Sequence, residues 1–145
     1  ACASRHSGNY CVTVSVDGVD FLQPVDVGDL VSLRASVNYV GRTSLIVGIK
    51  VTAENARLGI VKHTNTSYFT MVARDDVGQP VLVPPLILET DDDLRRFATA
   101  SKRRKLRARL RQRMESFSEE FRSDERTADA LAGERCVIGG SPAGG

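Results

Sequence analysis

Between residues 10 and 83 apolar and polar side chains alternate with a period of two, and no segment in that stretch carries a helical period. Val12, Val14 and Val16 fall on one face of a predicted first strand, with Thr13 and Ser15 on the other. Residues 30–40 repeat the pattern, Val31, Leu33, Ala35, Val37 and Tyr39 opposing Ser32, Arg34, Ser36 and Asn38. After a tight turn at Gly41-Arg42, Leu45, Val47, Ile49 and Val51 oppose Gly48, Lys50 and Thr52. The stretch around 54–62 reads as a loop, residues 66–74 as a further strand, and Val81–Val83 as a short closing strand. The expectation is four long strands in a mostly antiparallel meander. A sheet with one apolar face must have that face covered. The cover has to come from residues 1–9, from the C-terminal region, from another subunit, or from sequence outside this chain.

A chain of 145 residues is the size of one ordinary domain. Hydrophobic and charged fractions of 41% and 26% belong to a globular protein. No apolar run approaches the length of a membrane span, and the first residues lack the pattern of a signal peptide. Cys2, Cys11 and Cys136 are an odd set without metal-ligand spacing, which favours reduced thiols and a cytoplasmic setting.

Pro84-Pro85 closes the strand region. Thr90 followed by Asp91, Asp92 and Asp93 is a helix start, a capping hydroxyl with carboxylates where the helix dipole favours them. Leu94, Phe97, Leu106, Leu110 and Met114 recur at helical spacing, so a helix of roughly 25 residues is expected. The predicted organisation is a sheet domain over 1–89, an amphipathic basic helix over 90–117 and a disordered tail over 118–145.

The helix also holds the chain's one charge anomaly. Net charge is only +2, yet ten of the twenty Lys and Arg residues lie between Arg95 and Arg113. Such a row can bind phosphates of a nucleic acid, but it has few aromatics for base stacking and no recognition motif. A helix packing its apolar stripe on a neighbour is the favoured reading, with nucleic acid set aside.

Searches for chemistry return little. The chain has no phosphate loop, no nucleophile elbow, no paired histidines and no Cys-x-x-Cys. His6 and His63 are its only imidazoles, and a lone histidine is more often structural than a base. Asp17, Asp20, Asp26 and Asp29 sit at strand ends, where aspartates usually serve turns.

Two longer stretches say more. The runs from Val16 to Val51 and from Thr64 to Leu86 contain Gly28-Asp29, Gly41-Arg42-Thr43-Ser44, Phe69-Thr70-Met71-Val72-Ala73, Gly78-Gln79-Pro80 and Val83-Pro84. With Ala3-Ser4-Arg5-His6 before them, these resemble the acyl-CoA thioesterases of the hotdog fold, of the brain acyl-CoA hydrolase type and its small bacterial relatives. The order and spacing of the motifs over about residues 1–115 carry the likeness.

The resemblance implies an α+β hotdog fold, a curled antiparallel sheet wrapped around a central helix. Ala1–Ser4 would be the last turn of that helix, Arg5–Gly8 its exit and Gly8 its terminator, with most of the helix and a first strand preceding Ala1. It implies hydrolysis of acyl-CoA to free fatty acid and CoA, with no cofactor and no metal, since CoA is part of the substrate. A homodimer is implied, with hexamers as trimers of dimers. The activating carboxylate would lie upstream of Ala1, so no catalytic residue is assigned within the chain. Substrate-binding positions would be Gly41, Arg42, Thr43 and Ser44, then Arg5 and His6, and more weakly Asn65 and Thr66. The alternative is a non-catalytic hotdog module that binds acyl-CoA, a partner or nucleic acid through the basic helix.

Overall fold

The computed structural model describes residues 1–121, 125–131 and 133–136. A short helix α1 (Cys2–Ser7) leads into strands β1 (Tyr10–Val16), β2 (Asp29–Val40), β3 (Ser44–Asn55) and β4 (Ile60–Arg74). A long helix α2 (Asp91–Glu120) and a short α3 (Glu125–Leu131) follow. The chain divides into two compact units, Ala1–Arg104 and the residues from Lys105 on, so the division falls inside α2. Of the tail expected over 118–145, Ser118–Glu120 belongs to α2 and Glu125–Leu131 is helical rather than disordered. Positions 122–124, 132 and 137–145 of that tail lie outside the described residues.

The four strands form one antiparallel sheet in the order β1-β4-β3-β2. The last three make the expected meander, but β1 lies beyond β4 rather than beside β2. The segment after β1 therefore crosses from one edge of the sheet to the other. It is tied on the way by Asp17 N–H to Tyr68 O and Leu22 N–H to Thr64 O. The loop expected near 54–62 shrinks to a hairpin turn between Asn55 and Ile60, closed by Gly59 N–H on Asn55 O with Gly59 at φ 64°. The closing strand expected at 81–83 is reduced to an isolated bridge, Arg74 with Pro80, and single backbone bonds beyond it.

The sheet has an inner and an outer face, and bulges decide which residues occupy each. The inner face carries Leu45, Val47 and Ala73, with Cys11 opposite Ala73. Ala3 of α1 and Val83 cover this end, and Leu45 is fully buried. Val12 pairs with Val72 on the outer face, and a bulge between Thr13 and Ser15 leaves Val14 and Val16 exposed. Before the bulge the valine face predicted for β1 is shifted by one residue, with Cys11 taking the buried position; after it Val16 returns to the inner face opposite Phe69. A second bulge at Asn38 swings Tyr39 away from Val37 to the outer face, where it pairs with Ile46. Farther along the inner face α1 no longer covers the strands, and Leu33 is 67% exposed.

The first half of α2 lies against the outer face. The rings of Phe97 and Tyr39 are 4.9 Å apart, and the Arg103 guanidinium sits 3.7 Å above the ring of Tyr68. Arg104 donates to the Tyr39 hydroxyl at 3.2 Å. Two of the cations in the basic run are therefore fastened to the sheet. Of the apolar stripe, Phe97 is half-buried while Leu94, Leu106, Leu110 and Met114 are exposed. Thr90 caps the helix as expected: its hydroxyl accepts from Asp93 N–H, and the Asp93 carboxylate accepts from Thr90 N–H at 3.1 Å.

Candidate functional site

One end of the sheet gathers six of the eight predicted binding residues. The turn between β2 and β3 is closed by Gly41 N–H on Ser44 O at 2.7 Å. Its other carbonyls hold neighbouring chain, with Val83 N–H on Arg42 O at 2.8 Å and Ala73 N–H on Thr43 O at 2.9 Å. The segment through Val83 and Pro84 then reaches α1, where His6 Nε2 meets Pro84 O at 3.0 Å. Turn, strap and helix end thus form one connected corner. Gly8, at φ 70°, ends α1 in the left-handed conformation expected of it, although the helix runs to Ser7 rather than stopping at Ser4. The Arg5 and Arg42 side chains are exposed, and neither makes an ion pair among the described residues.

Asn65 and Thr66 are not part of this corner. They lie on β4 opposite Val51 and Lys50, while Ser44 is opposite Val72. The separation is about 20 Å at some 3.3 Å per residue. The two residues also point to different faces. Asn65 is on the inner face, 6% exposed, and its Oδ1 is buried with no hydrogen-bond partner among the described residues. Thr66 lines a cleft on the outer face.

Both imidazoles are engaged with backbone. His63 Nε2 lies 2.9 Å from Asn65 O and from Thr66 Oγ1. A carbonyl only accepts, so Nε2 is the donor in each of these contacts. Of the four aspartates at strand ends, Asp29 serves a turn, its carboxylate accepting from Asp26 N–H at 3.0 Å. Lys62 binds Asp26 at 2.8 Å and Asp29 at 3.2 Å. The Asp26 backbone N–H, and after it Lys62, holds the Asp29 carboxyl below the usual carboxylate range. The side-chain bond to Asp26 raises Lys62. Cys2, Cys11 and Cys136 are free thiols. Among the described residues no group of His, Cys, Asp and Glu is placed to hold a metal ion, and no helix is long and apolar enough to cross a membrane.

Sequence reasoning missed the outer cleft. Its volume is about 510 Å³, and Arg34, Asn38, Lys50, Thr66, Arg95 and Arg96 are among its walls. The signal was present, because Arg34, Asn38 and Lys50 fall on the polar side of the alternation. Alternation alone does not mark that side as a cavity, and the packing of α2 against it makes it one.

Residues 1–60 match the family model described as the thioesterase superfamily. Protein VdlD of Helicobacter pylori is 44% identical over 108 residues, which are 74% of this chain and 62% of that protein. The chain thus spans about three fifths of the length of that curated relative. Among solved structures, an acyl-CoA hydrolase from Bacillus cereus superposes with a TM-score of 0.73 at 36% identity, covering 83% of this chain and 73% of that one. An acyl-CoA hydrolase from Staphylococcus aureus, in complex with butyryl coenzyme A, coenzyme A and coenzyme A disulfide, superposes with a TM-score of 0.67 at 33% identity, covering 90% and 73%. An apo-hexameric acyl-CoA thioesterase gives a TM-score of 0.71 at 36% identity, covering 74% and 69%.

Proposed function

The chain belongs to the thioesterase superfamily, with the hotdog fold of its acyl-CoA hydrolases, and from that premise we propose that it is a subunit of an acyl-CoA thioesterase. The reaction is hydrolysis: water adds to the thioester carbonyl, the C–S bond breaks, and the CoA sulfur leaves as the free thiol beside a carboxylic acid. The observation that carries the reading is the corner at the end of the sheet. There an Arg-Thr-Ser turn is locked by backbone bonds from residues 73 and 83, leaving the Arg42 guanidinium exposed and without an ion pair among the described residues. A fixed turn with a free guanidinium and two hydroxyls suits the amides of pantetheine and the phosphates of CoA. Arg5, at the end of α1, adds a second cation at the same corner.

The chain's contribution in this reading is binding and orientation. His6 holds the strap that fixes the Arg42 turn, so its role is positioning. Asn65, with a buried Oδ1 awaiting a partner, faces the side on which the resemblance places the central helix. The carboxylate that activates water and the backbone amides that polarise the carbonyl are assigned to no described residue of this chain. Asp26 and Asp29 are not given that role, because both are committed to Lys62. A dimer that assembles further into a hexamer is proposed, supported by the hexameric structure to which the chain is similar. The free thiols support a cytoplasmic setting.

The test is release of free thiol from acyl-CoA by the whole protein that contains this chain. Turnover that scales with enzyme, with an Arg42→Ala variant showing a raised KM, supports the reading. Saturable acyl-CoA binding without thiol release would instead place the protein among non-catalytic hotdog modules.

A further inference from the structure

We propose that the outer cleft between the sheet and the first turns of α2 is a binding site for a phosphorylated small molecule, separate from the corner at Arg42. The cleft lies on β2, β3, β4 and α2, all within the first compact unit. Its volume of about 510 Å³ is within the range of small-molecule sites. Four cations wall it, Arg34, Lys50, Arg95 and Arg96, and no carboxylate is among its lining residues. Asp92 neutralises part of this charge, since both Arg95 and Arg96 bind it from the helix side. Arg34 and Lys50 have no such partner among the described residues.

The register sharpens the case. Arg34 stands directly opposite Lys50 across the β2–β3 ladder, and like charges in that relation destabilise a sheet. An anion between them converts the repulsion into two charge-assisted contacts. The floor is also shaped. Asn38, at the β2 bulge, is 7% exposed, and its amide lies over Gly48, where an added Cβ would be 2.3 Å from Nδ2. The Ser36 hydroxyl donates to Asn38 Oδ1 at 2.8 Å, and Nδ2 is left as a donor. Thr66 adds a hydroxyl to the wall.

Cations and donors with no carboxylate among the lining residues select a phosphate. The nearest aromatic face, Tyr68, already carries the Arg103 guanidinium, so stacking of a base is not what the cleft offers. The ligand class is therefore a phosphomonoester or diphosphate read through its phosphate. Two sources share that chemistry, a free phosphorylated metabolite and the phosphates of CoA itself. Lys50 lies about 20 Å along β3 from the Arg42 turn, with Asn38 and Gly48 lining the nearer end of the cleft, and this placing of the cations favours the first.

The experiment titrates inorganic pyrophosphate into the whole protein by calorimetry, then repeats the titration with Arg34→Gln, Lys50→Gln and, as a control outside the cleft, Lys102→Gln. Binding is expected to weaken by about tenfold or more in each of the first two variants, as for loss of a charge-assisted bond, and to be unchanged in the third. Without pyrophosphate, Arg34→Gln and Lys50→Gln should melt no lower than the parent, because each removes a repulsion; with it, the parent and Lys102→Gln should gain in Tm, and the two cleft variants should gain less. No saturable binding, or equal weakening in all three variants, overturns the proposal. The same anion is then added to the thioesterase assay. Competition with acyl-CoA would show that the substrate's own phosphates use the cleft and would overturn the claim of a separate site. Binding without competition supports it, whether or not the thioester activity itself is found.

Discussion

His6 Nε2 lies 3.0 Å from the carbonyl oxygen of Pro84, joining residues 78 positions apart. This bond and Val83 N–H on Arg42 O make α1, the strap and the Arg42 turn one mechanical unit. Replacing His6 by Ala should remove roughly 0.5–1.5 kcal/mol of stability, the net worth of one hydrogen bond. It should also raise KM for acyl-CoA more than it lowers kcat, because the ring positions the turn and does not touch the thioester. Denaturant melts and steady-state kinetics of the variant check both expectations. A fall in kcat alone would mean that His6 acts on the reacting atoms.

Arg42→Ala tests the corner directly. Its guanidinium is exposed and unpaired among the described residues, so truncation should leave the melting temperature within about 1 °C, in keeping with surface substitutions inside ±0.5 kcal/mol. Loss of one charge-assisted bond to a phosphate corresponds to about a tenfold or larger rise in KM. Arg42→Lys should restore only part of the loss, because a lysine offers a point charge and not a planar fork. Isothermal titration with CoA separates binding from chemistry.

Much of this arrangement is readable from residue order, and the exceptions share one cause. Thr90 with Asp93 announces its cap, Gly8 its helix end, and the polar alternation of β2 and β3 survives wherever the ladder is regular. The reading fails at bulges. At Thr13 and Asn38 one extra residue moves the following side chains to the other face, and nothing local in a strand sequence marks that insertion. Pairing of β1 with β4 was equally hidden, since it depends on which edge is free after the hairpins close. The corner residues were found through family likeness in their motifs. The cleft was not, because Arg34 and Lys50 belong to separate strands and become a pair only in register.

Among the described glycines, Gly48 is the one whose added Cβ would come nearest a neighbour, the amide of Asn38. A Cβ at position 48 would stand 2.3 Å from Asn38 Nδ2, so Gly48→Ala must push the amide out of place. The expected cost is about 1–3 kcal/mol, the range for overpacking a well-filled site. Asn38→Ala in the same chain should recover a large share of it, giving a coupling energy above about 0.5 kcal/mol in a double-mutant cycle. Additive losses would show that the strain lies in the backbone of β3.

Leu45 is the largest apolar side chain buried completely, beneath α1 and beside Ala73 and Val83. Leu45→Ala should cost about 2–5 kcal/mol, and Leu45→Met less than about 1.5. Urea denaturation of the two variants gives the comparison. Near-equal losses would mean that the site collapses around the smaller side chain.

The cap of α2 gives a pH dependence whose sign follows from its hydrogen bonds. The Thr90 hydroxyl, then the Thr90 backbone N–H, holds the Asp93 carboxyl below its ordinary value of 3.8. A carboxyl depressed in the folded state stabilises the helix fully above the unfolded pKa, and that contribution is lost as pH falls through the lower folded value. The cap is therefore constant from pH 7 to about 5 and disappears only below about pH 4. Thr90→Ala removes a capping hydroxyl, worth typically about 1 kcal/mol, and should let Asp93 titrate nearer its ordinary value. Asp93→Asn abolishes the acid-sensitive part altogether. Helical ellipticity followed from pH 7 to 2 should show the parent unravelling at lower pH than Thr90→Ala, with a shallower profile for Asp93→Asn. If the parent and Thr90→Ala lose helix at the same pH, the hydroxyl is not what lowers the Asp93 carboxyl.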